Sequence, residues 1–310
     1  SVKLHHKTNQ LLITGHSNEH PNELFIKGLY KDDLSKITAS NPFISNIKLG
    51  KQETINWESA DGINIQGVIT YPTSYRKGAR YPLILQIHGG PEGVSLEGWN
   101  TSPGYPVQLL AAEGYVVLQP NYRGSGGRGV DFSKADHNDL GGLEYDDVIK
   151  GIDHLIELGI VNKDKVGTGG WLYGGYFSAL GATTYSHRFK ASMVGAGLTN
   201  MISFMGTTDI PYEMSIVHWN SWWFDEMDLH WDRSPLAHIN KAKTPTLIIH
   251  GLEDKRVHPE QGLELYQALK IKGVDTELVF YPREPHGINE RAHQLDYIER
   301  LVNWYNTYVR

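Results

Sequence analysis

One glycine-rich stretch constrains this chain more than any other feature. Gly170-Trp171-Leu172-Tyr173-Gly174 follows a strand-like run, Lys165–Thr168, and precedes a predicted helix, Tyr176–Tyr185. Strand, sharp turn and helix around G-x-S-x-G is the layout of a nucleophile elbow. Small residues are needed there because the turn is strained and the next helix packs close by. The turn leaves one side chain standing at the strand's end. In this sequence that side chain is Leu172, which carries no hydroxyl. The frame that presents a nucleophile is written into the chain, and the attacking atom is not.

Composition narrows the rest. A chain of 310 residues suits one large domain, or one domain with an appendage. The net charge of −6 leaves no electrostatic footprint for nucleic acid. No window reaches the ~18 apolar residues of a membrane span, so no membrane partner is expected. Cysteine is absent, which excludes disulfides and thiolate metal sites and fits a reducing, cytoplasmic setting. No signal-peptide pattern opens the sequence, which begins at Ser1.

Residues 1–50 differ in pattern from the remainder of the chain. Leu11–Thr14 and Glu23–Lys27 are short apolar runs joined by polar Gly15–Asn22, the pattern of a β-hairpin. Two strands alone are marginal in water, so they must lean on another sheet or domain. His5, His6, His16 and His20 show no recurring ligand spacing and read as exposed loop residues, so no metal is expected.

From residue 51 the pattern firms up. Glu53–Glu58 and Ile63–Tyr71 flank Ala60-Asp61-Gly62, a hairpin signal. Leu83–His88 and Tyr115–Gln119 are apolar runs of the kind found in strands covered on both faces, with a helix expected over Val107–Glu113. Helix periodicity runs through Gly142–Leu158. After the elbow come strand Ala191–Gly195, an irregular region over 201–240, strand Thr246–His250, helix Pro259–Lys272, strand Thr276–Tyr281 and helix Asn289–Tyr308. Strands alternating with helices predict an α/β fold, a mostly parallel sheet with helices on both faces.

Three further motifs fit the elbow. His250-Gly251-Leu252-Glu253-Asp254 places an acid after a buried strand, and Tyr281-Pro282-Arg283-Glu284-Pro285-His286-Gly287 places His286 after the next. The order nucleophile, acid, histidine is that of an α/β-hydrolase triad. His88-Gly89-Gly90-Pro91 follows an early strand, where the N–H of Gly90 can join that of Tyr173 as donors to an oxyanion. Taken singly, a loop aspartate is usually a turn former and a lone histidine a satisfied structural residue. Their joint order at successive strand ends favours catalysis. Spacing alone does not choose between Glu253 and Asp254.

Two other motifs invite readings of their own. Gly124-Ser125-Gly126-Gly127-Arg128-Gly129 satisfies G-x-G-x-x-G, but no periodic helix opens inside it, so it reads as a loop flanking the site and no nucleotide cofactor is expected. The cluster Trp219, Trp222, Trp223, Phe224 and Trp231 reads either as core or as the lining of an apolar substrate pocket, with Trp222, Trp223 and Phe224 as the binding candidates.

The sequence resembles the catalytic domain of the prolyl oligopeptidase family of serine peptidases, nearest its acylaminoacyl-peptidase and dipeptidyl-peptidase branches. The residues that carry this are His88-Gly89-Gly90-Pro91, Asn121-Tyr122-Arg123-Gly124-Ser125-Gly126-Gly127, Gly170-Trp171-Leu172-Tyr173-Gly174-Gly175, Ser234-Pro235, His250-Gly251-Leu252-Glu253-Asp254 with Val257, and His286-Gly287. They span about residues 51–310, and residues 1–50 resemble the last strands of the family's β-propeller. The resemblance implies an α/β-hydrolase fold, a peptide or acyl-peptide substrate, and most of a propeller absent from this chain. It implies that Asp254 orients His286, that His286 is general base and acid, and that Gly90 and Tyr173 bind the oxyanion. It departs at Leu172, where the family has serine. Ser178, six positions on within the helix, is no substitute. The expectation is a serine-peptidase scaffold silenced at its nucleophile; the alternative is a non-catalytic pseudo-hydrolase that binds a peptide or protein partner. The oligomeric state, homo-oligomer included, is left open.

Overall fold

The computed structural model describes residues Ser1–Arg310. Two sheets form. The first is an antiparallel meander of β1 (Val2–His5), β2 (Gln10–Gly15), β3 (Glu23–Gly28) and β4 (Ser35–Lys36). The expected hairpin is its centre, with Leu12 opposite Ile26. His16 does not stay free in its loop: its Nδ1 accepts the N–H of Trp99 at 2.9 Å, tying this sheet to the second.

The second sheet contains β5 (Gln52–Glu58), β6 (Asn64–Thr70), β7 (Tyr81–Ile87), β8 (Val116–Asn121), β9 (Val161–Trp171), β10 (Ala191–Gly195), β11 (Thr246–Gly251) and β12 (Thr276–Tyr281). Its order is β12-β11-β10-β9-β7-β8-β6-β5. Pairing is parallel from β12 through β8, and the β5–β6 hairpin adds an antiparallel edge. This is the mostly parallel sheet that the alternation predicts, in the α/β-hydrolase arrangement that the resemblance implies.

Alternate residues of each central strand feed opposite faces, as a pleated strand requires. Leu83, Leu85 and Ile87 join a core with α3 (Leu143–Glu157) and α4 (Tyr173–Ala182). Ile84 joins another with α1 (Val107–Ala112) and α8 (Arg291–Tyr308). A smaller core lies under α7 (Glu260–Ile271). No helix is long and apolar enough to cross a membrane.

Several expectations are corrected. The strand before the elbow runs over Val161–Trp171, and the helix after it starts at Tyr173 rather than Tyr176. Glycines hid the strand's length: a Cβ on Gly169 would lie 2.2 Å from the Tyr305 hydroxyl, so packing demands glycine where strand propensity is poor. Residues 201–240 are ordered, holding α5 (Met201–Thr207), a π-helical turn at Glu213–Trp219, α6 (Met227–Asp232) and a 3-10 turn at Pro235–Lys241. Asn200 caps α5 by accepting the N–H groups of Ile202 and Ser203. The loop after Gly129 also makes one helical turn, α2 (Val130–Ser133).

Candidate active site

The elbow forms because backbone passes within contact distance of backbone. A Cβ on Gly174 would sit 2.1 Å from the carbonyl oxygen of Ile87, and one on Gly170 2.4 Å from the same atom. Leu172 occupies φ 57°, ψ −112°, a left-handed region that costs a residue with a Cβ on the order of 1–3 kcal/mol. Two backbone bonds hold it: its N–H donates to Gly195 at 3.0 Å, and its carbonyl accepts from Tyr176 at 2.9 Å. The next residue, Tyr173, opens α4, so its N–H is among those without a partner inside the helix.

His286 and Asp254 meet beside this turn. The His286 Nδ1 lies 2.7 Å from Oδ2 of Asp254, while its Nε2 is buried without any partner. The other carboxylate oxygen of Asp254 accepts the N–H groups of Arg256 and Val257 at 2.9 and 3.0 Å. Burial works against ionisation of Asp254, but His250 and His286 outweigh it and hold the carboxyl well below the usual range. Glu253 is exposed and takes no part in the contact.

The loop carrying His286 is fixed from two sides. Trp171 donates its indole N–H to the His286 carbonyl at 3.2 Å. Glu284, 1% exposed, accepts the N–H groups of Asn289 and Glu290, each at 2.8 Å. Neither residue stood out in the sequence. Trp171 occupies a variable position of the motif, and nothing local in it signals a bond to a residue so far along the chain.

Gly90 sits at φ 133°, where a Cβ would lie 2.3 Å from the Glu92 nitrogen, so only glycine suits the loop. His88 braces that loop. Its ring stacks on Tyr122 at 4.6 Å and its Nε2 lies 3.0 Å from Ser125 Oγ. Burial pulls its pKa down to about 4, which keeps the ring neutral. The G-x-G-x-x-G loop thus supports the site structurally, and Arg123 pins it by a bidentate pair with buried Asp147 at 2.9 and 2.7 Å.

A cavity of about 420 Å³ opens at the elbow, lined by Gly90, Tyr105, Trp171, Leu172, His286 and Tyr297 among others. Trp222, Trp223 and Phe224 do not line it. They pack on one another with ring centroids 4.9–6.1 Å apart beside Tyr212, and Trp219 is buried in the main core. Ser178 is fully buried, its hydroxyl donating to the Gly174 carbonyl at 2.7 Å.

Comparison with known proteins gives the chain its family. Residues 99–310 match the sequence profile of the prolyl oligopeptidase family. The chain belongs to that family. It is 33% identical to the uncharacterized peptidase YuxL of Bacillus subtilis, over 94% of this chain and 44% of that protein. It is 29% identical to the acylamino-acid-releasing enzyme of Mus musculus, over 83% of this chain and 35% of that enzyme. Among solved structures, the Pyrococcus horikoshii acylaminoacyl peptidase superposes with a TM-score of 0.86 at 25% identity, covering 97% of this chain and 48% of that one. An acylaminoacyl peptidase in complex with Z-Gly-Gly-Phe-chloromethyl ketone gives 0.87 at 25% identity, over 97% and 48% of the two chains. The chain therefore spans less than half the length of these prolyl oligopeptidase family relatives.

Proposed function

We propose that this chain is the hydrolase part of a peptidase that acts on short peptides or acyl-peptides, and that Leu172 silences it. The observation that carries this is the unpartnered Nε2 of His286, whose other nitrogen is already held by Asp254. An imidazole oriented at one end and idle at the other is a general base lacking its hydroxyl. With serine at 172, Nε2 would take the Oγ proton as oxygen attacks the scissile carbonyl. The N–H groups of Tyr173 and Gly90 would hold the oxyanion. His286 would then protonate the leaving amine, and water would repeat the steps on the acyl-enzyme. Leucine offers neither lone pair nor proton, and its side chain fills part of the cavity where the carbonyl must enter.

The four-stranded meander at the N-terminus and the length of the relatives support reading residues 1–50 as the end of a β-propeller that restricts substrate size. The competing reading is a pseudo-hydrolase that binds peptide without cleaving it. The test is Leu172→Ser with acyl-peptide and aminoacyl p-nitroanilide libraries. Turnover that a fluorophosphonate blocks supports the peptidase. A folded variant that binds peptides and cleaves none supports the pseudo-hydrolase.

A further inference from the structure

We propose that Glu92, His137 and His218 form a binding site for a divalent transition-metal ion, zinc first among them. One ligand atom from each lies within 4.8 Å of the other two. They come from three separate segments: the turn after Gly90-Pro91, the stretch after α2, and the π-helical turn of the 201–240 region. The backbone ties two of them directly, since the Asn138 N–H donates to the His218 carbonyl at 2.8 Å, while the Gly126 N–H anchors the Glu92 carbonyl at 3.1 Å.

His218 is the observation that points to a ligand. Its side chain is 2% exposed, and its Nδ1 is buried without a hydrogen-bond partner. Its Nε2 faces Oε1 of Glu92 at 3.9 Å, beyond hydrogen-bond reach. A buried imidazole nitrogen left without a hydrogen-bond partner is costly unless something else binds it. The His137 ring stands edge-on to it, 5.6 Å between centroids. Two imidazoles and one carboxylate are the donor set of zinc sites that keep a fourth position for water. Zinc bonds of about 2.0–2.2 Å require donors about 3.3 Å apart. Glu92, whose side chain is 43% exposed, can supply that closure by rotation and leaves the ion a path from solvent. Thiolate is absent from the chain and the set holds one oxygen donor, so calcium and magnesium fit poorly.

A bound ion would tie the loop of Gly90 to the 201–240 region. The site stands apart from the peptidase reading, because its readout is metal binding and not turnover. The experiment is titration of the full chain with zinc, with cobalt as the visible probe. Expected are one tight ion per chain, cobalt d–d bands of tetrahedral strength, and a rise in Tm with zinc. His137→Asn and Glu92→Gln alter solvent-reachable side chains and leave the core intact. The first should weaken zinc at least about 100-fold and the second at least about 10-fold, with loss of the Tm rise. Surface histidines such as His5 and His6 are the competing source of binding. Affinity unchanged in His137→Asn, or no stoichiometric ion in the unaltered chain, overturns the proposal.

Discussion

The elbow at Leu172 stands between two buried acidic groups that the protein treats in opposite ways. Asp254, 2% exposed, is ringed by donors: the backbone of Arg256 and Val257 at one oxygen, His286 at the other. Asp136, 1% exposed, meets no side-chain donor except the neighbouring carboxyl of Glu144. It belongs to the acidic group under Tyr173, whose hydroxyl donates to Glu144, while the second oxygen of Glu144 meets no donor. Burial, with the Glu92 carboxylate nearby, pushes Asp136 up to about 7, and burial with Asp136 drives Glu144 well above its ordinary range. The same depth of burial gives an anion on one side and a protonated acid on the other. Donor supply, and not burial, sets the charge. Only the Asp254 side holds a histidine whose second ring nitrogen is left unpartnered.

The sharpest way to break this comparison is to give the Asp254 side its missing atom. Leu172→Ser should raise hydrolysis of an activated acyl-peptide by about 10⁴-fold or more, toward the 10⁶ that a triad nucleophile is worth in kcat. No rise in a folded variant would mean that the Asp254 side is not a working base. Next in size, Asp254→Asn in that background should cut kcat by about 10⁴, because the amide no longer fixes the reactive tautomer of His286. Asp136→Asn in the same background should leave kcat within a few-fold. Equal losses from both would erase the distinction between the two sides.

Much of this was legible in the sequence, for identifiable reasons. The strands end in residues that only a strand end explains: His88-Gly89-Gly90-Pro91 after β7, Asp254 after β11, His286 after β12. Short motifs carry such positions because backbone geometry and chemistry both restrict the residue. What stayed hidden depends on contacts between distant segments. Asp136 reads as one polar residue in a polar loop, yet Gly124 and Glu144 enclose it; a Cβ on Gly124 would lie 2.5 Å from its carboxylate. Trp171 reads as an unconstrained position, and its hold on His286 needs a bond spanning 115 residues. The helices of 201–240 lack an apolar period because Trp, Met and Tyr are distributed by local packing rather than along one face.

Smaller effects test the frame that both sides share. Gly174→Ala would place its methyl 2.1 Å from the Ile87 oxygen, a clash with backbone that side-chain rotation cannot relieve. The expected loss is above about 3 kcal/mol, read from urea unfolding. A loss under about 1 kcal/mol would show that the turn yields, and that glycine there is not required by packing.

The last prediction separates the two aspartates by pH. Asp254 is held below its unfolded value, so its contribution to stability is present above about pH 4 and is lost as pH falls further. Asp136 is raised to about 7, so the fold binds a proton that the unfolded chain releases between about pH 4 and 7. Its contribution is full below about pH 4 and is lost as pH rises through 7. Asp136→Asn removes that loss, and its amide can donate to the second oxygen of Glu144. The variant should be more stable than the parent by up to about 4 kcal/mol at pH 8, and the gap should close toward pH 4, since one pKa unit corresponds to about 1.4 kcal/mol. Urea unfolding of both proteins from pH 4 to 8 reads the gap. An equal difference at both ends would mean that Asp136 does not titrate in this range, and that the two acids are held alike after all.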